Sequence, residues 1–154
     1  NLIVEPFAVS HDAADPIGIN VFAGKDKATV VTDTGVISDS ILRRMDDTTL
    51  LVLEANYDPH MLRFGPYQPF LKQRVASDEG HLSNEMAAQA LLMMNRPDFM
   101  QVILAHRSEN NNNAVLVTQT IGKMLVDGGV RIGPEMKLQH GQPNEIVSMK
   151  SVKR

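Results

Sequence analysis

Apolar positions fall along this chain in two rhythms. Short, nearly unbroken runs, Leu2–Val9, Ile17–Phe22, Ala28–Thr32, Leu50–Leu53 and Gln101–Ala105, are strand-length and rich in β-branched residues. Ile17–Phe22 and Ala28–Thr32 flank Gly24-Lys25-Asp26, which predicts a hairpin. Leu50–Leu53 has no polar alternation, the pattern of a strand buried on both faces. The other rhythm has helical spacing. Ser38 caps a short helix to about Met45, with Ile41, Leu42 and Met45 on one face. Ser83 opens a helix to Asn95, whose stripe is Met86, Ala87, Ala90, Leu91 and Met94. A third helix runs from Asn111 to Val126 and is closed by Gly128-Gly129. Asp58–Gly65 reads as a short helix or turn, Pro66-Tyr67 as a break and Gln68–Ala76 as helix again. Two weak strands, about Met136–Gln139 and Ile146–Met149, and a frayed basic tail, Lys150–Arg154, complete the reading.

This alternation places the chain in the α/β class, with a mixed β-sheet and flanking helices. Its 154 residues suit a single domain, 1–154, with a core of its own. No repeat or linker interrupts it. The absence of Cys rules out a disulfide framework and a thiol nucleophile, and fits a reducing, cytoplasmic setting. A net charge of −3 argues against wholesale coating of nucleic acid, though a local basic stripe is compatible with it. No apolar run is long enough to span a bilayer, so no membrane partner is expected. The chain opens at Asn1 inside a strand and without an initiator Met, so further sequence is expected to precede it.

The chemistry-bearing residues sit where apolar runs end. VEPFAVSHDAADPIG, ATVVTDTG and MQVILAHRS each deliver one polar residue, His11, Asp33 and His106, into a turn. Two imidazoles and a carboxylate suit a divalent transition metal such as zinc, manganese or iron, and a carboxylate can bridge two ions. Their spacing is no local motif, and histidines at strand ends also serve simply to bond backbone. His81, in GHLSN, lies just before the Ser83 helix, whose positive end favours a phosphate and eases proton donation to a leaving oxygen. Glu54 and Asn56 follow the Leu50–Leu53 run and read locally either as a strand-end turn or as partners orienting a histidine. Arg63, Lys72, Arg74 and Arg107 are candidate phosphate contacts, and Tyr67 and Phe70 candidate stacking residues, against the alternative of a solvated helix face with the rings in the core. His60 and His140 read as surface residues.

SHDAADPIG, TDTG, LEANYD, LKQRV, GHLSNEMAA and LAHRSENN stand in the order and rough spacing of the metallo-β-lactamase-fold hydrolases, and most resemble the WalJ/VicX/YycJ branch. The resemblance runs from Val4 to about Val126. It implies the C-terminal half of an αββα sandwich, two sheets face to face with helices outside. It implies that His11 and His106 are ligands of two divalent ions, zinc or manganese and possible iron, that Asp33 bridges them, that His81 protonates the leaving group and that Glu54 supports His81. It further implies phosphodiester hydrolysis, as in 5′→3′ DNA exonucleases, with Lys72, Arg74, Arg107 and Asn56 touching substrate. The family's principal ligand motif, HxHxDH, belongs to the N-terminal half and has no counterpart here. This chain alone is therefore expected to be inactive, with the missing half supplied in cis or by a second chain. The alternatives are a hydrolase of small phosphodiesters or RNA ends, and a non-catalytic half-domain that associates through an apolar face with a partner chain or as a homo-oligomer.

Overall fold

The structure, a computed structural model, describes residues 1–142 and 145–147. Six strands, β1 (Leu2–Ala8), β2 (Ile17–Ala23), β3 (Asp26–Val31), β4 (Leu50–Glu54), β5 (Met100–Ala105) and β6 (Met136–His140), form one sheet in the order β1-β2-β3-β4-β5-β6. β1, β2 and β3 pair antiparallel, and β3 through β6 pair parallel. Five helices connect them: α1 (Asp39–Met45), α2 (Pro59–Phe64), α3 (Pro69–Val75), α4 (Asn84–Met93) and α5 (Ala114–Asp127). None is long and apolar enough to cross a membrane.

Local signals account for most helix starts. Ser38, Asp58, Ser83 and Asn113 each accept an N–H from the first turn they precede. α5 starts three residues later than the Asn run suggests, because the amide of buried Asn112 is committed elsewhere: its Nδ2 donates to the carbonyls of Ala55 and Asn56 at 3.0 and 3.1 Å. The strand expected over Ile146–Met149 falls partly outside the described residues; Ile146 and Val147, which are described, are not in a strand. The Lys150–Arg154 tail lies outside them altogether.

Strand order explains where the core is. Each parallel step moves the chain in the same direction across the sheet, and crossovers of one hand then place their helices on the same face. Burial follows this rule. Val31, Leu51, Leu53, Val102 and Leu104 face Ile41 and Met45 of α1, Ala87 and Leu91 of α4, and Ile121 and Leu125 of α5 in one buried cluster. Among the described residues, the opposite face, also apolar, is left without a comparable cover. Val4, Ile19, Val21, Val30, Val52 and Ile103 share it by register, and none of them is buried. β4 is thus buried on one face only, and its unbroken apolar run reflects two apolar faces of which one is open.

The two faces should differ energetically in this chain. Leu53→Ala, fully buried in the wild type, is expected to cost about 2–5 kcal/mol, and Val52→Ala on the open face much less. Urea unfolding of both variants measures the difference; equal costs would mean that the open face is covered.

Candidate metal centre and catalytic cleft

β1 and β2 are antiparallel, as are β2 and β3, so β1 runs in the same direction as β3, β4 and β5. The carboxyl ends of these four strands therefore lie on one edge of the sheet, and each is followed by a chemistry-bearing residue: His11 after β1, Asp33 after β3, Glu54 closing β4 and His106 after β5. This is the edge at which α/β sheets hold ligands. Asp33 (φ 56°) and His106 (φ 51°) both take the left-handed conformation, uncommon for residues with a Cβ and concentrated at functional sites.

The side chains converge. Asp33 Oδ1 is 3.9 Å from His11 Nε2 and 3.6 Å from His106 Nε2. The His81 ring stands between the other two, its centroid 5.1 Å from that of His11 and 5.2 Å from that of His106. Donor atoms of His11, Asp33 and His81 lie within 4.8 Å of one another, as do those of Glu54, His81 and His106.

Hydrogen bonds fix how each imidazole is presented. His11 Nδ1 lies 3.0 Å from the carbonyl oxygen of Gly80, which can only accept, so Nδ1 is the donor and Nε2 is turned toward the carboxylates of Asp12 and Asp33. Gly80 belongs there for a steric reason, since a Cβ would collide with the carbonyls of Arg74 and Val75. Glu54, fully buried, accepts through Oε1 from both His81 Nδ1 and His106 Nδ1 at 2.7 Å each. Its Oε2 accepts the N–H groups of Thr34 and Leu82 at 3.2 and 3.4 Å. Glu54 is therefore saturated as an acceptor and acts as a holder of rings rather than as a ligand. His11 and His106 each turn Nε2 toward the Asp33 carboxylate, a donor set that fits borderline divalent cations.

Burial pushes the Glu54 carboxyl up, but the hydrogen bonds from His106 and His81 outweigh it and hold it below the ordinary carboxylate range. The same hydrogen bond raises His106 above the ordinary imidazole value, against the opposing effect of burial.

The site lines a cleft of about 490 Å³. Asn56 and Arg107 line it, and Asn56 Nδ2 donates to the His106 carbonyl at 2.8 Å. Arg74 lines it too, gripping Asp12 by a bidentate ion pair in which Nη2 stands 3.1 Å from Oδ1. That hydrogen bond lowers the Asp12 carboxyl and raises Arg74. Lys72 is not a lining residue; its Nζ donates to the Arg63 carbonyl at 2.8 Å. Tyr67 lines the cleft, whereas Phe70 is exposed. His60 is exposed, and His140 Nε2 pairs with Thr118 Oγ1 at 2.9 Å, away from this group. Sequence reasoning missed the second imidazole on Glu54, the Asp12–Arg74 pair, and the reciprocal amide bonds of Asn84 and Asn112 at 3.1 and 2.8 Å. All join distant segments and leave no local signal.

No family model matches the chain. Among solved structures it superposes on the metallo-beta-lactamase fold protein YhfI from Bacillus subtilis with a TM-score of 0.59, covering 90% of this chain and 47% of that one at 14% identity. Zn(2+)-bound PqqB from Methylobacterium extorquens gives a TM-score of 0.56, with 90% and 44% coverage at 16% identity. Human tRNase Z, short form, gives 0.52, with 70% and 36% coverage at 20% identity. The chain thus has the metallo-β-lactamase fold. Among curated proteins it is similar to exodeoxyribonuclease YycJ of Bacillus anthracis, 34% identical over 140 residues, covering 91% of this chain and 53% of that protein. It is 33% identical over 141 residues to exodeoxyribonuclease WalJ of Streptococcus pneumoniae, covering 92% and 52%. The chain spans about half the length of the curated relatives it matches.

The Glu54 contacts predict a pH signature for the metal-free chain. Because the folded His106 value is raised, its stabilisation is complete below the ordinary value of 6.5 and is lost as pH rises through the folded value. Because Glu54 is lowered, its stabilisation is present above the ordinary 4.5 and is lost as pH falls through the folded value. NMR titration of His106, with urea midpoints measured across pH, reads both limbs. A His106 titrating at or below 6.5 would contradict the shared carboxylate.

Proposed function

We propose that this chain supplies one sheet and part of the metal centre of a metal-dependent phosphodiester hydrolase, and that the complete protein is a DNA exonuclease of 5′→3′ polarity. The observation that carries this reading is the convergence of His11, Asp33 and His106 beside the Glu54–His81 pair. The exodeoxyribonuclease names of its relatives support the substrate class, and the zinc-bound neighbour supports the cofactor class. In this reading residues 1–154 are the C-terminal portion of the fold. The remaining ligands, HxHxDH, lie in the length of the relatives that this chain does not span, and the sheet that carries them covers the open apolar face.

His11 and His106, through Nε2, and Asp33, through its carboxylate, would hold two divalent ions, zinc or manganese and in some settings iron. When bound, these ions supply Lewis-acid stabilisation of charge developing on the phosphoryl oxygens. The rest of the work falls to side chains. Glu54 fixes both rings and supports a proton on His81, whose Nε2 hands it to the leaving oxygen. Asn56 braces His106 through its carbonyl. Arg74 and Arg107 line the approach and meet backbone phosphates, with Lys72 contributing from outside the cleft.

The chain by itself should bind zinc weakly and leave DNA intact. Metal-dependent hydrolysis by the purified 154-residue chain that His11→Ala abolishes would contradict the need for a second half. In the complete protein, His81→Ala should lower kcat by about 10²–10⁴-fold while the bound metal, read by elemental analysis, is unchanged. Loss of metal together with activity would instead make His81 a ligand.

A further inference from the structure

We propose that the helical arm between Glu54 and His81 carries a stacking platform for a single-stranded nucleic-acid end, with Phe70 as the surface on which a base lies and Arg74 as the adjoining phosphate contact. The substrate class comes from the phosphodiesterase reading above; the platform comes from the arm itself.

The arm folds around a small cluster of its own, with Leu62 of α2 and Val75 of α3 buried with Tyr57, and Tyr67 and Leu71 packed against them. α3 presents two faces. Leu71 and Val75, four residues apart, pack into that cluster and line the cleft with Arg74, while Phe70, four residues before Arg74, is turned to solvent. Phe70 is 70% exposed although an apolar cluster lies on the other side of its helix. Arg74 lines the cleft that holds His81 and His106; Phe70, one helical turn away, is not a lining residue and lies beside Arg74 outside the cleft. Asp12 pins the Arg74 guanidinium there from the His11 loop. The surroundings are cationic as well as aromatic: Arg63 lies over the ring of Phe64, itself 67% exposed, at 5.3 Å from the centroid, and Lys72 ties α3 to the end of α2 through the Arg63 carbonyl. An exposed ring beside an arginine of a phosphate-handling cleft is suited to an unpaired base, whose faces are free, and not to a duplex, whose base faces are hidden in the stack.

The test compares the complete protein with its Phe70→Ala and Phe70→Tyr variants, depleted of metal so that nothing is cut. Fluorescence anisotropy reads binding of a labelled oligothymidylate and of a blunt duplex. Phe70→Ala should weaken oligothymidylate binding about five- to hundredfold, leave the duplex unaffected and leave the melting temperature unchanged; Phe70→Tyr should restore the single-strand affinity. Unchanged affinity in Phe70→Ala overturns the platform. So does a lower melting temperature with unchanged affinity, which would seat Phe70 against another part of the protein. Metal-restored hydrolysis of a phosphodiester is assayed separately. A complete protein that binds the single strand through Phe70 but cleaves nothing keeps the platform and removes the hydrolase reading. One that cleaves but binds equally well without the ring keeps the hydrolase and removes the platform.

Discussion

A single buried carboxylate oxygen organises this site. Glu54 Oε1 receives two imidazole N–H groups from two separate later segments of the chain, one before α4 and one after β5. An ionised carboxylate with no solvent contact is costly unless its lone pairs are filled, and the Thr34 and Leu82 amides complete the set. The cost of burying the charge and the accuracy of the rings are thus two sides of one arrangement. Both imidazoles must keep the same tautomer and turn the same nitrogen toward the cleft while the carboxylate stays in place.

The sheet brings that oxygen to the right place. Because β1, β3, β4 and β5 end on one edge, residues far apart in sequence meet without long loops, and the left-handed turns at Asp33 and His106 lie directly beyond the strands that deliver them. The one-way strand order has a second effect. It stacks α1, α4 and α5 on one face and, among the described residues, leaves the other apolar face without a comparable cover.

Much of this was legible in the sequence wherever the information is local. The Ser38 and Ser83 caps, the turn at Gly24, and the polar residue closing each apolar run all depend on neighbours within a few positions. What escaped depends on distance. Asp12 and Arg74 are separated by 62 positions, and nothing near either residue signals the pair. Asn112 looked like part of a helix-opening run, yet its amide is spent on backbone of the β4 end, which delays α5. Leu50–Leu53 looked buried on both sides because a face built to be covered carries the same residues as one that is covered. Glu54, locally ambiguous, is defined only by the rings that reach it.

The four strand ends that carry His11, Asp33, Glu54 and His106 belong to one hydrogen-bonded sheet, so these groups keep their mutual spacing as a single rigid jaw. Any widening of the cleft must therefore come from the loops beyond these strands or from the α2–α3 arm beside them.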